Sequence, residues 1–178
     1  MARTVREAVA ESVRKWNKNN GTKDFGYRLD ERGIGPEEMW DAALALYVPD
    51  PSWDIAVIKE MFMKNLIVLR KDINVNAMVH AALTMEDLGN RDELYGLDKG
   101  RFREDPVHLV ADELMGIALA EYIAGTKGLF EYVRYDKKKP GILGTLGPFV
   151  DDIVGSLIGA IMSRIYTELL EGEDKLGA

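Results

Sequence analysis

Apolar residues recur three and four positions apart along nearly the whole chain, the spacing of one face of an α-helix. Over residues 3–18, Val5, Ala8, Val9, Ser12, Val13 and Trp16 form one such stripe. Residues 19–34, "NNGTKDFGYRLDERGI", are polar and contain glycine, and read as a linker that leaves the first helix as a separate arm. Pro36, followed by acids in "GPEEMWDAALALYV", opens the next helix, and "VPDPSWD" ends it. Two longer helices are predicted over about 54–70 and 72–88, the second stopped by Gly89. "GNRDELYGLDKGRFRED" reads as a loop. Pro106 is expected to open a helix that stops at Gly125, and "TKGLFEYVRYDKKKPGILGTLG" reads as largely irregular with one short helix. Pro148 opens the last helix, which runs to about Glu171.

No strand pair, repeat or low-complexity tract stands out. The pattern predicts an all-α, single-domain bundle of about six helices, with one central, glycine-containing helix surrounded by the others. In domain terms it divides the chain into an N-terminal amphipathic arm (1–20), a linker (21–34), a helical domain (35–172) and a short tail (173–178).

The last helix is the candidate for the centre. "DDIVGSLIGA" puts Gly155 and Gly159 four residues apart on one face. Each helical glycine costs about 1 kcal/mol relative to alanine, so the pair is expected where another backbone approaches closely. The nearly uncharged run Ile153 to Ser163 is shorter than the about 20 apolar residues of a bilayer span. It predicts a buried core helix and no integral membrane span. The first sixteen residues carry charges throughout and lack the apolar run of a signal peptide. A soluble, cytoplasmic protein is the expectation, with attachment to a membrane surface as the alternative.

Composition narrows the chemistry. A net charge of −7 argues against nucleic acid as a partner. The absence of cysteine excludes disulfides, thiolate zinc sites and cysteine-nucleophile phosphatases. The amphipathic arm, which cannot bury its stripe alone, points to a homodimer.

Three charged clusters remain. Asp112 and Glu113 sit in an apolar helical context, where an ionised carboxylate is rarely buried unless paired or bound to metal. Their bland alternative is a solvated stripe shared with Glu121. Asp151 and Asp152 fall in the first turn of the last helix, where the macrodipole favours acids whatever their function. "YDKKKPGILGTLGPFVDD" supplies Asp136, Lys138 and Lys139 before a Pro-Gly turn. A lysine run is usually a solvated loop, but a phosphate requires a fixed positive charge of this kind. Asn76, in "NVNAM", is as well suited to orienting a ligand as to a core hydrogen bond. Of the two histidines, His80 reads as a core or flank residue, and His108 lies one helical turn before Asp112. No DxDxT, GxSxG or HExxH motif occurs. Hard oxygen ligands without Cys or His suit Mg²⁺, with Mn²⁺ the alternative, far better than zinc. Such a metal beside lysine and several carboxylates is apparatus for phosphoryl chemistry.

"ADELMG", "YDKKKPGIL" and "FVDDIVG", in this order, resemble the motifs of the phosphatidylglycerophosphatase A family, whose pattern runs D-E-x-x-G, D-x-x-K-P, D-D-x-x-x-G. The resemblance covers roughly residues 32–170 and extends back through "DINVNAMVHAALTMEDLG" and "LYGLD". It implies a Mg²⁺-dependent phosphomonoesterase with an all-helical fold. Carried over, Asp112, Asp136, Asp151 and Asp152 become catalytic positions, Asp112, Glu113, Asp136 and Asp152 metal ligands, and Lys139, Lys138 and Asn76 substrate contacts. Two features depart from that pattern: this chain has no predicted membrane span, and Gly155 falls three residues after Asp152. The family includes the archaeal-type α-ribazole phosphatase CobZ, so the resemblance implies either α-ribazole 5′-phosphate of cobalamin biosynthesis or a phosphatidylglycerophosphate-like lipid as substrate. A non-catalytic helical oligomerisation module and a ligand-sensing module are the alternatives.

Overall fold

The computed structural model describes residues 4–17 and 23–176. Of the expected tail, 173–178, only helical backbone up to Leu176 is among them. The elements in chain order are α1 (Val5–Asn17), α2 (Phe25–Asp30), α3 (Pro36–Ala45), α4 (Ile55–Leu69), α5 (Ile73–Asn90), α6 (Lys99–Arg103), α7 (Ala111–Lys138), a 3-10 turn (Gly141–Thr145) and α8 (Pro148–Leu176). Among the described residues there is no strand. The fold is an all-α single domain, with eight helices among the described residues packed around one core, two more than expected.

Aspartates start four of these helices. The side chains of Asp24, Asp54, Asp72 and Asp98 accept backbone N–H groups of Tyr27, Ala56, Asn74 and Arg101 respectively. Each such cap stabilises its helix by about 1 kcal/mol.

α8 is the centre. Every residue from Pro148 to Ser163 is buried, and α3, α4, α5, α7 and the 3-10 turn all pack on it. Pro148–Gly172 is long and apolar enough to cross a membrane by length and composition, but 67% of that window is buried inside the molecule. A buried core helix meets the same criterion.

α7 is bent back on itself. Gly125 has φ 62° and ψ −158°, outside the helical region and open in practice only to glycine. In a straight helix Ala120 and Gly128 would lie about 12 Å apart along the axis. Here a methyl group on Gly128 would stand 2.6 Å from the Ala120 carbonyl oxygen. The arms 111–124 and 126–138 therefore pack against each other, and both pack on α8. The close approach expected of the glycine pair belongs to Gly159, where an added Cβ would lie 2.6 Å from the Tyr132 backbone nitrogen. Gly155 has only ordinary contacts at 3.8 Å.

Three expectations are corrected. The segment that reads as a linker holds α2, and its Phe25, Leu29 and Ile34 are fully buried. Buried Arg70, at the C-terminal cap of α4, pins it, donating to Asp24 at 2.9 and 3.0 Å and to the Trp16 carbonyl. Secondly, α1 is not a separate arm. It packs on α4 with Ala8, Ser12 and Trp16 buried and Val5, Val9 and Val13 half-buried. Thirdly, the stretch after Gly125, irregular by its pattern, is helical to Lys138, whereas residues 106–110, helical by theirs, form a turn before Ala111.

Candidate metal and phosphate site

The site forms where the N-terminal turns of α7 and α8 meet. Asp112 and Glu113 open α7, and Asp151 and Asp152 lie in the first turns of α8. One carboxylate oxygen each from Asp112, Glu113 and Asp152 fall within 4.8 Å of one another. Asp112 is 1% exposed, Asp152 4% and Asp151 6%.

Local bonding explains why these acids face inward. α7 lacks a side-chain cap at Val110, and Asp112 Oδ1 instead accepts the Glu113 N–H at 3.0 Å. Asp152 Oδ1 accepts the hydroxyl of Tyr132 at 2.8 Å. Lys139, at the end of α7, donates from Nζ to Asp151 Oδ2 at 2.6 Å and to Asp105 Oδ2 at 3.1 Å. Asp112 Oδ2, Glu113 Oε2 and Asp151 Oδ1 are buried and accept no hydrogen bond. Orphaned buried carboxylate oxygens are rare in folded proteins, and a bound cation is one of the standard ways to satisfy them.

Burial sets the electrostatics. Asp112 and Asp152 are pushed well above the carboxylate range, chiefly by burial and further by neighbouring acids. Burial raises Asp151 to about 7 against the opposing pull of Lys139. For Lys139, burial disfavours the charge, but Asp151 and Asp105 outweigh it and the ammonium is held charged. Metal-free, the cluster holds protons; a divalent cation would displace them.

The other candidate residues divide. Asp136, half-buried, lies four residues after Tyr132 on α7 and adds to the upward push on Asp151 and Asp152. It is not one of the three carboxylates whose oxygens lie within 4.8 Å of one another. Lys138 is exposed and forms no ion pair among the described residues. Asn76 is spent on backbone: its Oδ1 accepts the Phe25 N–H at 2.7 Å, and its Nδ2 donates to the Arg70 and Asp72 carbonyls at 2.9 and 2.7 Å. It joins α2 to α5, with both amide protons engaged. His80 Nε2 is buried without a partner, and His108 is exposed in the turn before α7.

Sequence reasoning missed three residues. Tyr132 holds Asp152, and Asp105 holds Lys139. Buried Glu86 of α5 accepts the Phe149 N–H at 3.2 Å and the Asn90 amide at 2.9 Å, so it caps α8 from another helix. A Cβ on Gly147 would lie 1.9 Å from Glu86 Oε1, which explains the glycine before Pro148. A glutamate in an apolar helical stretch was the available signal.

No family model matches the chain. It is 32% identical over 130 residues to the uncharacterized protein MJ1330 of Methanocaldococcus jannaschii, an alignment that spans 71% of this chain and 98% of that protein. The chain belongs to the MJ1330 family. Among solved structures, the MJ1330-family fold is similar to the low temperature requirement C protein of Listeria monocytogenes, with TM-score 0.69 and 20% identity over 91% of this chain and 96% of that one. It is also similar to protein ypjQ of Bacillus subtilis, with TM-score 0.66 and 21% identity over 95% and 99% of the two chains. A protein of unknown function from Bacillus stearothermophilus gives TM-score 0.65 and 23% identity, over 90% of this chain and 99% of that one. At these identities the likeness concerns the fold.

Proposed function

We propose that this protein is a Mg²⁺-dependent phosphomonoester hydrolase of the phosphatidylglycerophosphatase A type. One observation carries the reading: carboxylates from two helix N-termini, Asp112 and Glu113 of α7 and Asp152 of α8, converge with buried oxygens of Asp112 and Glu113 lacking any hydrogen-bond donor, beside a lysine held in its charged form. The donor set is all carboxylate, which fits Mg²⁺ or Mn²⁺. Asp112, Glu113 and Asp152 would hold the ion.

Bound there, the ion would polarise a phosphoryl oxygen and offset the charge that develops on it. The chain's own groups supply the rest. Lys139 has two of its three ammonium protons engaged by Asp151 and Asp105 and offers the third to a phosphate oxygen. The dipoles of α7 and α8 favour an anion at the same place. Asp151, poised at about 7 with Oδ1 free, accepts a proton from the attacking water. The water oxygen bonds to phosphorus, the ester P–O bond breaks, and the alcohol leaves with a proton from solvent.

Two substrate classes fit this chemistry, α-ribazole 5′-phosphate and a phosphatidylglycerophosphate-like lipid. Val107, Val110 and Leu114, all exposed around the start of α7, favour the amphiphilic one. Phosphate release from each, with Mg²⁺ and with chelator, tests the reading. Metal-dependent release that is lost in Asp112→Asn and Asp152→Asn supports it. Metal-dependent binding without turnover indicates a ligand sensor. Neither binding nor release indicates a non-catalytic helical module.

A further inference from the structure

Three glycines surround one tyrosine. A Cβ on Gly116 would lie 2.6 Å from the Tyr132 hydroxyl oxygen, and one on Gly159 would lie 2.6 Å from the Tyr132 backbone nitrogen. A Cβ on Gly155 would rest 3.8 Å from its ring. Glycine inside a helix costs about 1 kcal/mol relative to alanine. Gly116 clears the space for the hydroxyl end of this side chain and Gly159 for its backbone, at the junction of both arms of α7 with α8. The ring is 2% exposed, and its hydroxyl donates to Asp152 Oδ1 at 2.8 Å.

Among the described residues, Asp152 accepts no other side-chain hydrogen bond. A buried carboxylate bonded at one oxygen cannot rotate freely about χ2, so the bond at Oδ1 fixes where Oδ2 points.

We propose that Tyr132 is a positioning residue for the metal site, holding the Asp152 carboxylate through Oδ1 in the orientation that joins it to Asp112 and Glu113. The inference rests on the metal-dependent reading above. It assigns the helical glycines Gly116 and Gly159 a functional reason: they admit the group that orients a ligand. Partners of this kind typically change metal affinity 10- to 100-fold when removed.

The protein itself offers a control. Tyr135, one turn further along α7, is equally buried, and its hydroxyl donates to the Ala43 carbonyl at 3.0 Å, with no bond to the carboxylate cluster. Tyr→Phe at either position deletes one buried hydroxyl and one hydrogen bond and keeps the ring. A merely structural role predicts the same outcome for both variants.

The experiment is a Mn²⁺ titration of wild type, Tyr132→Phe and Tyr135→Phe, followed by the loss of the free-ion electron paramagnetic resonance signal, with circular dichroism melts of all three. The expected result is a 10- to 100-fold weaker Mn²⁺ Kd in Tyr132→Phe alone, with helical content unchanged in both. Equal Mn²⁺ affinity in wild type and Tyr132→Phe overturns the inference while leaving the metal reading intact. An equal loss in Tyr135→Phe overturns it in favour of general packing. If wild type binds no Mn²⁺, the metal reading falls and this inference falls with it.

Discussion

The Lys139 ammonium lies 2.6 Å from Asp151 Oδ2, while Asp151 Oδ1 accepts nothing. The pair spans the end of α7 and the start of α8, and it is held by an unusual backbone. Lys139 sits at φ 41°, ψ 55°, the left-handed conformation that ends many helices and that side chains other than glycine adopt at a cost.

That backbone separates stability from binding. In Lys139→Gly, relief of the left-handed strain, about 1–2 kcal/mol, offsets much of the lost ion pair, which is discounted because the lysine side chain is 35% exposed. The expected melting temperature stays within a few degrees of wild type. KM for the phosphate monoester rises by about tenfold or more, the loss of one charge-assisted contact. Steady-state kinetics and a thermal melt on the same preparation check both halves.

Metal-free stability should fall as pH rises. Asp112, Asp151 and Asp152 all have folded-state pKa values raised above the ordinary carboxylate value of 3.8, Asp151 to about 7. The folded state therefore binds more protons than the unfolded chain. The stability this contributes is complete below the unfolded value and is lost as pH climbs through the folded ones. In chelator, the melting temperature is expected to drop by roughly 5 °C or more between about pH 5.5 and 8. Saturating Mg²⁺ at the upper end of that range should restore it, because the ion takes the place of the protons. A flat profile in chelator would contradict the buried cluster.

Neutralising one ligand should raise stability and abolish turnover. Asp152→Asn and Asp112→Asn remove a desolvated charge, so their metal-free melting temperatures at about pH 8 should equal or exceed that of wild type. Phosphate release should fall by about a hundred- to a thousandfold, the scale on which a single preorganised group acts in catalysis. A lower melting temperature together with normal turnover would reverse both assignments.

The two glycines of α8 should respond with opposite sign. Gly159→Ala places a methyl 2.6 Å from the Tyr132 backbone and forces α7 away, at a cost of roughly 1–3 kcal/mol. Gly155→Ala meets nothing closer than 3.8 Å and should stabilise the helix by up to about 1 kcal/mol. Urea denaturation of the two variants decides the comparison.

Much of this architecture can be read from local pattern. Helical periodicity, aspartate caps and the apolar run of α8 are properties of short stretches, so the all-α class, the central helix and the break at Gly125 are all legible. So are the acids that gather at the site, because carboxylates in apolar helical stretches violate the solvation rule that places charge on the surface. The segment after Gly125 looks irregular in the sequence because Gly128 and Pro140 weaken its local helical signal. Packing against the first arm and α8 restores the helix.

The chain's own order of residues thus determined its helices, their caps and the identity of the charged groups that gather at the site. Tertiary structure alone decided that α2 packs into the core, through Arg70 just after α4 and Asn76 of α5. It also decided which acids converge, that Glu86 caps α8 and that Tyr132 holds Asp152. Spacing along one helix sets which face a residue occupies. Only the packing of helix on helix sets which faces meet, and groups 20 to 63 residues apart in the chain are brought within bonding distance by that packing alone.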